Sequence, residues 1–460
     1  MLKNKESEGV FQLESDLFKG LLDAVQASDE NDICALLALG RPGPLGAGMH
    51  KRYAERKLGN EEPLPQLRGT DNITQDTYNT IIYQEQCMLI AKQVAGFNDS
   101  QSDSIMRKAL AKKKKDKMEI ARRLLIYGKL NENPPADYDD SNKNQPLYDP
   151  KGKYGTPVLG GINNGYTEKE LIEFWEKLKG YASYLFNKSH SASYSVITLC
   201  TAYLKTYYGP QFFAALLSMD NSAKKIDIYK KVLDKMHVKI SLPDINKSVK
   251  DFKYDKESNS IIYGLSAIKG LGDAVINAII ENREYVNLED LMNKIPKKIL
   301  NKRALTALVK AGAFDNEEPN RYAMLNNLYN LRKDKDERLD VTAYTEKSCM
   351  AYEKEILGTY ITYTPYWDKV QNYQKIVHNF IFCKAKIIMD RKGRNMAFIT
   401  VSDGNNEIDG VMFASSYNKY SHTIKNLINK NSNETQRVQI KGKKDDNNHL
   451  IIDEIKETIA

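Results

Sequence analysis

Residues 380–452 alternate apolar and polar side chains in short runs, and this pattern restricts the fold more than any other part of the chain. The predicted strands are residues 381–389, 396–402, 407–413 and 437–441, with a shorter fifth run at 450–452. Turn sequences such as RKG and DGN separate them, and one helix is predicted at residues 417–428. Five short strands with one helix favour an OB-fold barrel, which commonly binds single-stranded nucleic acid.

The first part of the chain predicts helices instead. Residues 33–39 are apolar on nearly every face, which indicates a buried helix, and residues 78–97 predict one long helix. That helix contains the polar block 83–86 (YQEQ), which is typical of hydrogen bonds between helices and less often of a ligand contact. Residues 196–217 predict an apolar, aromatic core helix interrupted by a Gly-Pro pair.

The composition narrows the class of protein. The 460 residues carry a net charge of +8, whose sign suits an acidic partner, and contain neither a run of eighteen apolar residues nor an N-terminal signal core. We therefore expect a cytoplasmic protein without a membrane segment. The five cysteines lie far apart, and no histidine is three or four residues from another His or Cys, so neither a disulfide framework nor a zinc site is indicated.

A basic run at residues 105–123 is the densest charge feature. It holds nine Lys or Arg residues against Asp116 and Glu119. Its small apolar residues at helical spacing predict one helix with a basic face, which suits a polyphosphate ligand. The alternative is a solvated charged face, and the run by itself does not decide between them.

Two further segments have residues suited to phosphate. Arg41 lies in the turn 40–44 (GRPGP), whose prolines and glycines fix its position, so that it either contacts phosphate or ties the loop to a carboxylate. Residues 187–190 (NKSH) could together hold a phosphate at the start of the next helix. They could equally form a helix start whose cap is Asn187 or Ser189.

Residues 268–272 (IKGLG) precede a helix predicted at 274–284 and resemble the hairpin of a helix-hairpin-helix motif. The amides of such a hairpin bind a DNA backbone phosphate without reading sequence. A second helical unit at residues 299–309 fits a paired repeat. The expected DNA contacts of this hairpin are Lys269, Gly270 and Gly272.

Five motifs in order resemble the fingers of the bacterial replicative DNA polymerase III alpha subunit, family C. They are residues 9–15 (GVFQLES), 41–44 (RPGP), 83–86 (YQEQ), 107–114 (RKALAKKK) and 186–190 (FNKSH). The likeness continues through the hairpin and the predicted barrel, so it covers essentially the whole chain.

The resemblance implies a multi-domain, mainly α chain followed by a small β-barrel. The fingers would occupy residues 1–240, with a polar surface excursion at about 131–164. A tandem helix-hairpin-helix or clamp-binding-like domain and a connector would occupy 241–370, and the OB domain 371–460. The family's clamp-binding peptide is not evident between Lys333 and Tyr344, so binding of a sliding clamp stays open.

The resemblance also assigns site residues. In the family the fingers pattern RRAMGKKK engages the triphosphate of the incoming nucleotide, and here Lys108 replaces the second Arg, which keeps the charge but loses a bidentate fork. The implied triphosphate contacts are Arg107, Lys108, Lys112, Lys113, Arg41, Asn187, Lys188 and His190. Lys114 and Lys115 join the implied DNA contacts.

Nucleotidyl transfer needs carboxylates that hold two Mg²⁺ ions. In the family these aspartates lie in the palm, upstream of the motif that begins here at Gly9. The expectation is therefore that this chain contains no catalytic residue, that Mg²⁺ is held by the palm of a partner half, and that the isolated chain is inactive. The pairs Asp139-Asp140 and Asp445-Asp446 sit in polar loops, where adjacent carboxylates are more often solvated.

Three hypotheses for the function follow. In the first, the chain is one half of a split DNA polymerase that binds primer-template DNA and dNTP together with a palm-bearing half, in the cytoplasm of a bacterium or of a phage-infected host. In the second, it is a catalytically inactive DNA-binding accessory protein of replication. In the third, the catalytic part simply lies outside this sequence. The heavy use of Asn and Lys is typical of an AT-rich genome, such as that of a phage.

Overall fold

The structure is a computed structural model that describes residues 1–4, 6–112, 114–130, 134–181, 185–335, 338–363, 366–403, 406–429 and 436–458. The chain forms two compact units. The first consists of Met1–Leu216 and Lys231–Met236, and the second of Leu217–Lys230 and the described residues from His237 onward. Within the described residues, every helix is too short or too polar to cross a lipid bilayer.

The first unit is built almost entirely from helices. Its helices are α1 (Asp16–Val25), α2 (Glu30–Leu39), α3 (Pro42–Gly46), α4 (Met49–Lys57), α5 (Asp71–Thr74), α6 (Gln84–Ala95), α7 (Asp99–Gln101), α8 (Lys108–Lys112), α9 (Lys115–Ile126), α10 (Glu168–Tyr181) and α11 (Lys188–Tyr207). A π-helix, Ser102–Arg107, lies between α7 and α8. A parallel pair of two-residue strands, β1 (Lys129–Leu130) and β2 (Leu147–Tyr148), follows α9. The chain passes between the units within α12 (Gly209–Met219) and α13 (Ala223–Lys235).

Helix α2 is the centre of one core of the first unit, and every residue from Asp32 to Leu39 is buried. This confirms the predicted buried helix. The buried carboxylate of Asp32 accepts hydrogen bonds from the Tyr53 hydroxyl at 2.9 Å and from the Ser28 amide at 2.7 Å, and it pairs with the Lys57 ammonium. Because both carboxylate oxygens face donors, the charged form is stabilised in the core.

The Asp32 site predicts a pH dependence of stability. Burial alone would raise the pKa of Asp32, but the hydrogen bonds from Lys57, Ser28 and Tyr53 outweigh burial and hold the pKa below its usual value of 3.8. A lowered pKa stabilises the fold above the usual value, and this contribution is lost as the pH falls below it. Urea unfolding of Asp32→Asn between pH 3 and 7 is expected to show a flatter pH profile than wild type, whereas the exposed Asp76→Asn keeps the wild-type profile.

Two helix predictions in the first unit are wrong. The helix predicted at 78–97 begins only at Gln84, because Tyr78 and Asn79 adopt positive φ angles of 50° and 53° and Tyr83 is extended. The single basic helix predicted at 105–123 is three pieces, with Lys114 extended at φ −72° and ψ 128° between α8 and α9. Like charges four residues apart on a helix, such as Lys108 and Lys112, repel one another, which disfavours one continuous helix through the run.

The predicted polar excursion at 131–164 is only partly a surface segment. The described residues 134–146 are mostly exposed, whereas Leu147 and Val158 join the core formed around α6, α9 and α10. Lys129 and Asp149 form a buried ion pair at 3.0 Å. Scattered apolar residues without periodicity carried no signal for this burial.

The second unit begins with a three-stranded sheet and a set of short helices. The strands are β3 (Lys239–Ser241), β4 (Lys253–Asp255) and β5 (Ser260–Ile262), with β5 in the middle. The helices are α14 (Asp273–Glu281), α15 (Leu288–Lys294), α16 (Lys302–Ala311), α17 (Arg321–Arg332), α18 (Glu346–Ile356) and α19 (Tyr366–Lys369). The barrel region contains β6 (Lys375–Met389), β7 (Asn395–Ser402), β8 (Glu407–Met412), α20 (Ala414–Asn429), β9 (Arg437–Lys444) and β10 (Leu450–Thr458).

Strands β6 to β10 form a closed barrel in the order β10-β8-β7-β6-β9. The β8–β10 pair is parallel and the other four pairs are antiparallel. Helix α20 lies between β8 and β9 in the chain. The inward positions are apolar, for example Ile399, Val401 and Ile440. A closed five-stranded barrel after a mainly helical region confirms the predicted fold class.

A buried ionic network ties α18 to the segment that follows it. The Arg321 guanidinium, 1% exposed, contacts Asp315 at 2.8 Å and Glu353 at 3.7 Å. The fully buried Glu353 carboxylate also accepts the amides of Ile361 at 2.7 Å and Thr362 at 3.1 Å and the Thr362 hydroxyl at 2.5 Å. Glu353 therefore has these four donors around its carboxylate, of which the Ile361 amide and the Arg321 guanidinium belong to buried residues.

Candidate functional site

The loop that opens helix α11 is fixed by backbone pairing with the segment before α6. Phe186 and Tyr83 form a parallel β-bridge. The Gln84 amide donates to the Phe186 carbonyl at 2.8 Å, and the Phe186 amide donates to the Ile82 carbonyl at 2.9 Å. These bonds place two of the sequence motifs, 83–86 and 186–190, side by side.

Glu85 joins α6 to the first residues of α11. Its carboxylate accepts the Asn187 side-chain amide at 2.8 Å and the Lys188 backbone amide at 2.8 Å. The Asn187 carbonyl oxygen accepts the His190 amide at 2.9 Å, so Asn187 is the N-cap of α11. The capping alternative for Asn187 is therefore confirmed, and its polar atoms already have protein partners. A carboxylate at a helix N-terminus is also favoured by the helix dipole.

Exposed Arg, Lys and His side chains lie near this point. The Arg41 guanidinium lies 4.0 Å from the centroid of the Phe186 ring, and it has no ion pair with any described carboxylate. The Lys188 ammonium lies 5.6 Å from the Tyr83 ring, and the His190 ring lies 5.5 Å from Phe186. Arg41 is therefore held by a cation–π contact, which leaves its N–H groups available to a ligand.

Arg107 lies at the end of the π-helix and is half-exposed. It pairs with Asp103 one turn earlier at 2.5 Å. This hydrogen bond raises the pKa of Arg107, and the negative charge of Glu85 adds a smaller contribution. We refer to Arg41, Arg107, Lys188 and His190 as the cationic cluster.

The remaining lysines of the basic run lie in α8, at the start of α9 and in the segment between these two helices. Lys108 begins α8 and is half-buried. Lys112 ends α8, but its side chain lies outside the described part, and so does the whole of Lys113. Lys114 and Lys115 are exposed at the start of α9. The predicted triphosphate and DNA contacts of these lysines stay predictions.

The hairpin of residues 268–272 in the second unit has free amides. Gly270 adopts φ +99°, a conformation that favours glycine, and Gly272 is the N-cap of α14. The Lys269 amide donates to the Ile356 carbonyl, but the amides of Gly270 and Gly272 have no acceptor among the described residues. The Lys269 ammonium is exposed and contacts the Glu355 carbonyl at 3.2 Å. Free amides beside an exposed ammonium are suited to a phosphate.

Comparisons with known proteins match this arrangement. Residues 1–133 match the family described as the bacterial DNA polymerase III alpha subunit finger domain, and residues 237–324 match a helix-hairpin-helix motif. The DNA polymerase III subunit alpha of Aquifex aeolicus is 31% identical over 465 residues, which cover 92% of this chain and 36% of that protein. The chain belongs to the bacterial DNA polymerase III alpha subunit family.

Other relatives agree on the extent of the match. The Helicobacter pylori subunit alpha (strain ATCC 700392 / 26695) is 35% identical over 340 residues, 71% of this chain and 25% of that protein. The Escherichia coli K12 subunit alpha is 28% identical over 479 residues, 92% of this chain and 38% of that protein. The chain therefore spans a quarter to two fifths of the length of these polymerase III alpha subunits.

Sequence reasoning missed the central role of Glu85 in this polymerase III alpha fold. The polar block 83–86 did predict hydrogen bonds between helices, and Glu85 makes them to the start of α11. Gln86 instead accepts the amides of Ile82 and Tyr83 at 2.8 and 2.9 Å within the start of α6. The Glu85 contacts run to a loop about 100 residues away, which no local pattern encodes. The available signal was that both partners lie in motifs shared with the family.

The acidic pairs considered from the sequence have ordinary loop contacts. Asp139 accepts the Ser141 hydroxyl at 2.6 Å, and this hydrogen bond lowers the pKa of Asp139. Asp445 accepts amides of its own turn, including that of His449 at 2.7 Å. Within the described ranges, no group of three His, Cys, Asp or Glu residues could hold a metal ion.

Proposed function

We propose that this chain is the fingers and DNA-binding half of a split DNA polymerase III alpha subunit, which replicates DNA together with a palm-bearing partner half. The observation that carries the proposal is that Glu85 holds the start of α11, which places Lys188 and His190 next to Phe186, the residue on which Arg41 lies. Exposed Arg and Lys side chains in one region suit a triphosphate, because each can add a charge-assisted hydrogen bond. The incoming dNTP is the proposed ligand.

The residues of this chain bind and orient; they do not hold a metal in the part that the structure describes. We therefore propose that the partner's palm holds Mg²⁺, which supplies charge neutralisation and activation of the primer hydroxyl. The cluster would hold the triphosphate of the dNTP in line with the primer end. The work of both halves would take place in the cytoplasm.

The second unit supports binding of primer-template DNA. The hairpin offers free amides and an exposed ammonium to a backbone phosphate, which fits contacts independent of sequence. The closed barrel adds exposed aromatic rings, Phe398 on β7 and Phe413 after β8, on which unpaired bases could stack. We propose duplex binding at the hairpin and single-strand binding at the barrel.

The proposal is tested by mixing this chain with the polypeptide encoded directly before it in the source genome and measuring templated dNTP incorporation with Mg²⁺. Incorporation by the mixture, with none from either protein alone, supports the split polymerase. If the mixture binds primer-template DNA but incorporates nothing, the chain is a DNA-binding accessory protein of replication instead. Incorporation by this chain alone contradicts the need for a palm-bearing partner.

Lys269→Ala is expected to weaken duplex binding about equally for all DNA sequences, because its ammonium would contact a backbone phosphate. Loss of one such contact should reduce the slope of log affinity against log salt by about one. Fluorescence anisotropy with two unrelated duplexes at several salt concentrations measures both effects. Lys256→Ala, an exposed lysine in the turn between β4 and β5, is the matched control. A loss confined to one duplex would contradict the phosphate contact.

A further inference from the structure

Helix α11 exposes its apolar face and buries its polar one. The residues of its buried face are mostly small or polar: Ser191, Ser195, Thr198, Ala202 and Lys205. The residues of its exposed face are mostly apolar: Val196, Ile197, Cys200, Tyr203, Leu204 and Tyr207. Exposure reaches 59% at Val196 and 68% at Tyr207. The prediction of a core helix at residues 196–217 is therefore wrong for the α11 part, although Phe212, Phe213 and Leu217 of α12 are buried.

The orientation of α11 is fixed by hydrogen bonds from its buried face. The Ser191 hydroxyl donates to the Cys34 carbonyl in α2. The Lys205 ammonium donates to the carbonyls of Glu6 at 2.6 Å and Glu8 at 2.9 Å. Rotating the helix to bury its apolar face would remove the hydrogen-bond partners of these groups. An unpartnered ammonium in the core is very costly in free energy. These hydrogen bonds therefore keep the apolar face of α11 exposed to solvent.

The exposed face forms one continuous surface. Its members recur at steps of three and four residues, so they lie along one side of the helix. From residue 191 to 208 the only charged side chain is Lys205, which is buried. We call Val196, Ile197, Cys200, Tyr203, Leu204 and Tyr207 the apolar stripe. Contiguous exposed apolar surface rich in Tyr is typical of protein interfaces.

We infer that the apolar stripe is the surface on which the palm-bearing half of the polymerase docks, an inference that rests on the proposed function. The stripe shares helix α11 with Lys188 and His190 of the cationic cluster. A protein seated on the stripe would therefore lie beside the proposed triphosphate site. The match covers only 36% of the A. aeolicus subunit, so such relatives carry ample further protein that could cover the stripe.

The chemistry of the stripe favours protein over DNA as its occupant. Nucleic-acid surfaces place Lys or Arg among their aromatic residues, because phosphate contacts provide most of the affinity. The stripe has no cation among its six residues. Its tyrosines, with hydroxyl groups at the rim of an apolar surface, suit a desolvated protein contact.

The rate at which Cys200 reacts with a maleimide measures whether a partner covers the stripe. It is exposed at the centre of the stripe, and the exposed Cys383 in β6 is an internal reference thiol. The experiment labels the full chain with a maleimide and locates the modified cysteines by mass spectrometry. The chain alone is expected to react at both thiols. Addition of the polypeptide encoded directly upstream should slow labelling of Cys200 by about 30-fold and leave Cys383 unchanged.

Substitutions on the stripe test the same contact by measuring binding of the partner. Leu204→Lys and Tyr207→Lys place a charge on residues that are 44% and 68% exposed, so the thermal midpoint of the isolated chain should stay unchanged. Binding of the upstream polypeptide should weaken by about 30-fold or more, because the buried ammonium would be unpaired. Val286→Lys changes an 85% exposed apolar residue off the stripe and should leave binding unchanged.

The outcomes separate this inference from the proposed function. Templated incorporation by the mixture with unprotected Cys200 and no effect of Leu204→Lys supports the split polymerase but overturns docking on the stripe. Protection of Cys200 without incorporation supports the docking surface and contradicts the polymerase proposal. Protection of Cys200 by DNA would mean that nucleic acid covers the stripe. Protection at a higher concentration of this chain alone would mean that a second copy covers it. Either result overturns the inference. Absence of any complex overturns both.

Discussion

Glu353→Ala is expected to lower the free energy of unfolding of the second unit by about 3–5 kcal/mol. The substitution removes a fully buried carboxylate that accepts the amides of Ile361 and Thr362 and the Thr362 hydroxyl. Among the described residues, it also leaves Arg321 with only Asp315 as an acidic partner. The cost is large because the Ile361 amide and the Arg321 guanidinium are buried and each loses an acceptor.

The matched control for this prediction is Glu355→Ala, two residues further along α18. Glu355 pairs with Lys310 at 2.8 Å, but its side chain is 52% exposed, and a surface pair of this kind contributes about 0–1 kcal/mol. Urea unfolding of the three proteins measures both effects. A loss below about 1 kcal/mol for Glu353→Ala would mean that the network contributes no more than an exposed pair.

The second large effect is expected for nucleotide binding. Arg107→Ala should raise the dNTP KM of the reconstituted polymerase by about 10- to 100-fold, because one charge-assisted hydrogen bond to phosphate contributes about 1.5–3 kcal/mol. Duplex DNA affinity should stay unchanged. Arg107→Lys should recover part of the loss, since the charge is kept without the fork of N–H groups. Steady-state kinetics with varied dNTP and anisotropy with primer-template DNA measure the two quantities.

The partner of Arg107 supplies the control. Asp103→Asn removes the carboxylate that holds Arg107 and leaves its guanidinium free for a phosphate. If Arg107 binds the triphosphate, Asp103→Asn should keep or lower the dNTP KM. If Arg107 only stabilises the π-helix through Asp103, both substitutions should raise KM alike, and the ligand role would be wrong.

Local patterns were sufficient for α2 and for β7 and β8 of the barrel, whereas β6 (Lys375–Met389) and β10 (Leu450–Thr458) extend well beyond the predicted runs 381–389 and 450–452. The predicted strand at 396–402 is β7 (Asn395–Ser402), and that at 407–413 is β8 (Glu407–Met412). In both, side-chain alternation with a period of two marks the buried face directly. Helix α2 was predictable because residues apolar on every face have only one stable environment, the core.

The errors share a physical origin. Periodicity identifies the apolar face of a helix but not what covers it, so α11 was placed in a core although Val196 and Tyr207 face solvent. Likewise the segment before α6 is apolar, yet the turn at Tyr78 and the bridge of Tyr83 to Phe186 hold it extended. These partners are distant in sequence, and only the tertiary structure brings them together.

The geometry of α11 has a mechanical consequence. Its 20 residues make a rigid rod about 30 Å long, so a tilt of about 5° at the Tyr207 end displaces Lys188 by about 2–3 Å. A displacement of that size separates a good hydrogen bond from none. The bonds of Ser191 near one end and Lys205 near the other resist such a tilt. A small displacement at the Tyr207 end of α11 therefore changes the position of Lys188 at the other end, and the two anchoring hydrogen-bond sites limit that displacement.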